Sequence, residues 1–127
     1  MSNFTEQLTL TFVENDLWKT DRAFTYYIGE EDSEDSITVP KGFITDLASV
    51  PWPASMLIPK SGQYNQAAVL HDFLYSVQTR SRIECDLIFK EAMTVLGVNW
   101  FKRNIMYRAV RIGGWLPWDK KKSKNRE

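Results

Sequence analysis

Pro51, Pro53 and Pro59 divide this chain into two halves that cannot share one kind of secondary structure. Proline fixes φ and carries no amide hydrogen, so neither a long helix nor a central strand can run through residues 46–62. Before that segment the side chains alternate, and after it apolar residues recur at helical spacing. Leu8-Thr9-Leu10-Thr11-Phe12-Val13 has the period-2 pattern of a half-buried strand. Ala23 to Ile28, Ser36 to Val39 and Phe43 to Thr45 give three more strands, with Pro40-Lys41-Gly42 as a turn. The Pro-rich segment also holds Trp52, Met56, Leu57 and Ile58, which are too apolar for a solvated loop. An ordered loop packed over the sheet or the helices is expected there.

The second half reads as three helices. The first runs from about Asn65 to Val77. Ser81 with Glu84 forms a capping box that opens the second, which continues to Leu96 with Gly97 as its stop. Asn99 caps the third, from Trp100 to about Ile112, and Gly113-Gly114 ends it. The short turn at Thr79-Arg80 forces the first two helices into an antiparallel hairpin. The expected fold class is therefore α+β: a small antiparallel sheet in the N-terminal half, a Pro-rich loop, then three helices. One domain is expected over residues 1–119, which suits a chain of 127 residues, with 120–127 as a flexible basic tail.

The formal net charge is zero, so no global field draws in nucleic acid, and none is expected as a partner. The acidic stretch from Glu30 to Asp35 and the basic Lys120 to Arg126 read as solvated segments. A single cysteine, Cys85, rules out an intrachain disulfide and reads as a small core residue. The N-terminus shows neither the basic nor the long apolar stretch of a signal peptide. No apolar run approaches the roughly 20 residues that span a bilayer. Lys102, Arg103, Arg108 and Arg111, followed by Trp115 and Trp118, suit either a lipid surface or a basic helix face whose tryptophans seal the core edge.

The chemistry is concentrated in the helical half. His71 is the only histidine, and Asp72 follows it inside an apolar helix. Tyr75, four residues on, shares a face with His71. In the second helix Ile83, Asp86, Met93 and Leu96 share a face, which turns Asp86 inward. A buried carboxylate needs donors. In an antiparallel hairpin His71 and Asp86 are roughly level, so a bond between them is expected, with Tyr75 as a second donor. Such a bond orients the imidazole and leaves its other nitrogen as a general base. It equally suits a buried lock between two helices. Asp72 faces a neighbouring opening and suits a hard cation such as Ca²⁺, which would polarise a carbonyl. Asp46 is either a second ligand or a turn cap. No organic cofactor is expected. One His and one Cys exclude a His/Cys zinc site, and an HD-type phosphohydrolase needs further histidines. There is also no Gly-x-Ser-x-Gly nucleophile elbow.

Two resemblances follow from these residues. His71-Asp72-Phe73-Leu74-Tyr75 resembles the His-Asp-x-x-Tyr signature of phospholipase A2 domains, and Cys85-Asp86-x-x-Phe89 resembles their second-helix motif. That resemblance covers about Ala67 to Met93. It implies His71 as base, Asp72 as Ca²⁺ ligand, and Tyr75 and Asp86 as supports. The disulfides and the glycine-rich calcium loop of that family are absent from this sequence. A longer resemblance covers Val39 to Pro51, Ala67 to Tyr75, Ser81 to Met93 and Met106 to Val110. It is to DUF1353, a family of small phage and prophage proteins. This implies a phage origin, a place in the host cytoplasm during infection or in the virion, and no established activity. The function expected is a phage-encoded metal-dependent hydrolase with a lipid or other ester as substrate. The alternative is a non-catalytic virion or tail component in which the same residues lock two helices and contact other virion proteins.

Overall fold

The computed structural model describes residues 3–15, 17–30, 33–46 and 64–125. The Pro-rich segment, for which an ordered loop was expected, lies almost entirely outside the described residues. The architecture is α+β: two small antiparallel sheets in the N-terminal half, followed by four helices.

The first sheet has the order β1-β4-β5, with β1 at Asn3–Phe4, β4 at Phe24–Tyr27 and β5 at Ser36–Val39. Its register pairs Phe24 with Val39 and Tyr26 with Ile37, and all four side chains are buried. Alternation along each strand puts them on one face, against the helices. The second sheet has the order β2-β3-β6, with β2 at Leu10–Glu14, β3 at Leu17–Thr20 and β6 at Ile44–Thr45. Thr20 pins β6 to it. The Thr20 hydroxyl donates to the Pro40 carbonyl (2.7 Å) and accepts from the Phe43 amide (2.9 Å). Gly42 sits at φ +83° in the intervening turn, a conformation glycine takes without strain.

The sequence reading expected one sheet and did not mark β1 or β3. A two-residue strand carries no periodicity. Leu17-Trp18-Lys19-Thr20 follows the turn at Asn15 so closely that its alternation is too short to stand out.

The helices are α1 (Asn65–Val77), α2 (Arg82–Val95), α3 (Trp100–Gly113) and α4 (Trp115–Asn125). Helix α1 is the centre of the domain, with Gln66 through Asp72 all buried. Its Ala67, Val69, Leu70 and Leu74 join Cys85, Phe89, Ala92 and Met93 of α2 and Met106 and Val110 of α3 in one core. The Tyr26 hydroxyl donates to Glu91 Oε1 (2.7 Å), tying the first sheet to α2. The expected caps are present. Ser81 Oγ accepts from the Glu84 amide, and Asn99 Oδ1 from the Lys102 amide (2.9 Å).

Helix α4 was not expected. Gly113-Gly114 reads as a stop, but Gly114 keeps helical dihedrals and its amide bonds the Val110 carbonyl (2.8 Å). The chain thus turns and starts again. Pro117 falls in the first turn of α4, where an amide hydrogen has no intrahelical partner to lose. Residue 119, drawn as the domain boundary, lies inside α4, and the segment drawn as a tail from 120 is helical through Asn125. Helix α4 returns to α1: Gln78 Nε2 donates to the Trp118 carbonyl (2.8 Å), and the Trp118 ring meets Tyr75 edge-on at 5.0 Å.

Candidate active site

Asp86 lies in the first turns of α2 and is fully buried. Three donors from two helices meet it. His71 Nε2 of α1 lies 2.7 Å from Oδ1, and the Tyr75 hydroxyl donates to the same oxygen at 2.6 Å. Arg111 Nη1 of α3 donates to Oδ2 at 2.6 Å. Burial alone would raise the pKa of this carboxyl. The hydrogen bonds from His71, Tyr75 and Arg111 outweigh that and hold it below the ordinary carboxylate range. Asp86 is therefore ionised at neutral pH and can only accept.

That fixes the histidine. If Asp86 accepts, Nε2 must carry the hydrogen, so in the neutral ring Nδ1 holds a lone pair. The ring packs at a tilt against Tyr75 (4.2 Å between centroids) and Phe89 (4.6 Å). His71 is 4% exposed, and that small exposed part contributes to the wall of a cavity of about 410 Å³. Burial, then the bond to Asp86 and its charge, raise the Tyr75 hydroxyl well above its usual pKa, against a smaller opposing pull from Arg82. Tyr75 thus stays protonated and remains a donor.

The same cavity is lined by Tyr75, Asp46, Asp72, Ala109, Val110, Leu116 and Pro117, and by Lys120 and Lys121. Asp72 is buried, and its carboxylate is paired with the Lys121 ammonium of α4. Asp46 is exposed and borders the same space. Among the described residues no group of three or more His, Cys, Asp or Glu stands ready to hold a metal. A calcium ion on Asp72 would meet an ammonium already there, so the donor set as arranged does not fit that ion.

All five residues singled out in the sequence thus border or underlie one site. His71, Tyr75 and Asp86 form a bonded cluster, while Asp72 and Asp46 lie on the cavity wall. Sequence reasoning missed the residues contributed from farther along the chain. Arg111 reads as one of several charges on a basic helix. Lys121 reads as part of a solvated run. Arg82 donates to the Val110 (2.8 Å) and Arg111 (2.7 Å) carbonyls and so holds the end of α3 over the site. Gly114 is needed because a Cβ there would come within 2.6 Å of the Tyr75 hydroxyl and 2.3 Å of the Val110 carbonyl. Only its position after Gly113 hinted at anything, and that hint was of a helix stop.

Cys85 precedes Asp86 but plays no comparable part. Burial, followed by the charges of Asp86 and Glu84, pushes its thiol up to about 12, so no thiolate is available.

The arrangement defines an α+β protein whose oriented imidazole meets a half-open cavity. Residues 18–110 match the family described as Protein of unknown function (DUF1353), and the chain belongs to it. The matched stretch contains His71, Asp72, Tyr75, Asp86 and Asp46 and ends just before Arg111, Gly114 and α4. Comparison with curated proteins and with solved structures returns no match.

Proposed function

We propose that this protein is a hydrolase of esters in which His71 activates water. The observation that carries the reading is the bond from His71 Nε2 to an ionised, fully buried Asp86, with the same ring on a cavity wall. His71 Nδ1 takes a proton from water as the oxygen attacks the ester carbonyl. The tetrahedral intermediate then breaks its bond to the alcohol oxygen. The imidazolium returns the proton to that leaving group, so water and ester become acid and alcohol. Tyr75 and Arg111 hold Asp86 in place.

The cavity favours an ester with an apolar acyl part and an anionic part. Ala109, Val110, Leu116 and Pro117 supply apolar wall, and Lys120 and Lys121 supply positive charge. Ile112 and Trp115, 77% and 54% exposed, flank the cavity-lining Gly113 and Gly114 in the chain. An anionic lipid, met at a lipid surface, has this chemistry. No helix among the described residues is long and apolar enough to cross a membrane, so contact would be peripheral.

The test is release of fatty acid from lipid vesicles, and of alcohol from soluble acyl esters, by wild type and by His71→Gln. The variant should lose about 10²- to 10⁴-fold in kcat, the range general bases contribute, with its far-ultraviolet circular dichroism unchanged. Equal rates in both proteins would end the proposal.

A second reading has its own support. Every oxygen of Asp86 is satisfied by a neighbouring helix, which suits a structural lock in a non-catalytic virion component of a phage. It predicts that His71→Gln changes only the melting temperature and that the chain co-purifies with particles.

A further inference from the structure

We infer that Lys121 is the resident cation of this site, and that hydrolysis here runs without a metal. The inference rests on the hydrolase reading above. The residue beside the base, Asp72, has the carboxylate that would attract a divalent ion. Instead it is paired with Lys121, carried back to α1 by a helix outside the family match.

The geometry of α4 makes that pairing a built feature. The chain bends at Gly114, where no Cβ fits. The Trp118 ring packs against Tyr75, and the Trp118 carbonyl accepts from Gln78. These contacts place Lys121, one turn further on, at the cavity wall that His71 and Asp72 also line. The Lys121 side chain is 29% exposed and that of Asp72 is 8% exposed, so the pair is screened by protein on one side and open to the cavity on the other.

An ammonium has three donors. Asp72 Oδ1 takes one, and the Asp72 carbonyl, at 3.4 Å, takes a second at long range. The third is left for a ligand in the cavity. As water adds to the ester, negative charge grows on the carbonyl oxygen. A fixed cation at the wall that also holds the base stabilises that charge more than it stabilises the neutral ester. Asp72 positions the ammonium and does not ligate an ion.

The experiment compares wild type, Lys121→Met and Lys121→Arg on 4-nitrophenyl butyrate and on phosphatidylglycerol vesicles, in EDTA and in CaCl₂. It also includes calorimetric titration of wild type with CaCl₂. Expected are wild-type rates equal in the two buffers, no saturable heat with calcium, and a loss of about 100-fold or more in kcat for Lys121→Met. KM on the soluble ester should hold within a few-fold, and Lys121→Arg should recover part of the rate. A purely structural Lys121 would lower thermal stability and leave kcat of the folded fraction unchanged, which overturns the inference. So does turnover that vanishes in EDTA and returns with calcium, or a saturable calcium site in wild type. Those outcomes leave the hydrolase reading intact. Failure of wild type to hydrolyse either substrate in both buffers removes the hydrolase reading, and the role of Lys121 with it.

Discussion

Asp86 and Asp72 are both carboxylates in the α1–α2 hairpin, yet the molecule treats them differently. Asp86 is sealed in the interior, where donors from α1 and α3 close on both of its oxygens. Asp72 is buried on the cavity wall, and its partner is the Lys121 ammonium of α4. A buried charge is tolerated only when its donors are fixed, because the attraction must offset desolvation. A charge beside a cavity can be held by one partner and still leave room for a ligand. The interior cluster is thus suited to holding a base in one tautomer, and the Asp72–Lys121 pair to holding an ammonium at the cavity wall.

The strongest way to break this contrast is Asp86→Ala. It leaves the buried His71 and Tyr75 donors without their acceptor, at about 1–3 kcal/mol each, so unfolding in urea should show a loss of about 2–6 kcal/mol. A loss below 1 kcal/mol would mean that water replaces the carboxylate easily and that the interior is not sealed. Gly114→Ala comes next. Its methyl group must displace the Tyr75 hydroxyl or the Val110 carbonyl, and such overpacking costs about 1–3 kcal/mol. The Tyr75–Asp86 bond should weaken with it, which a Tyr75→Phe, Gly114→Ala double-mutant cycle would reveal as non-additivity.

The pH dependence sharpens the same contrast. Asp86 has a folded-state pKa below its ordinary value of 3.8. Its contribution to stability is therefore fully present above that ordinary value and is lost as pH falls through the depressed one. The slope of urea stability against pH in this acid range should flatten in Asp86→Asn, an effect read as a difference between two titrations. An unchanged slope would show that other carboxyls carry the acid sensitivity. Lys121→Met has a smaller effect than Asp86→Ala. It leaves the buried Asp72 carboxylate to be solvated only through the cavity, which should cost about 1–3 kcal/mol in urea unfolding. A shift as large as that of Asp86→Ala would erase the distinction between the two carboxylates.

The hairpin was legible because its signals are local. Ser81 with Glu84, Asn99 and the apolar spacing of Ile83, Asp86 and Met93 lie within single elements. Once the turn at Thr79-Arg80 is short, the level of His71 against Asp86 follows from helix geometry alone. The second sheet was less legible. Strand β3 pairs with β6 through Trp18 with Thr45 and Lys19 with Ile44, a contact no short-range pattern records. Helix α4 was illegible for a related reason: two glycines, a proline and a basic run read as a stop and a tail, and only its docking on Tyr75 and Gln78 favours a helix there.

The sequence by itself determined that a lone imidazole, a phenol and a carboxylate share one helical hairpin, because side-chain direction on a helix repeats with a fixed period. The tertiary structure alone decided that Arg111 completes the carboxylate, that Gly114 must lack a side chain, and that Lys121 reaches Asp72. Those contacts join residues 25 to 49 positions apart, and at such separations packing, not local preference, sets which groups meet.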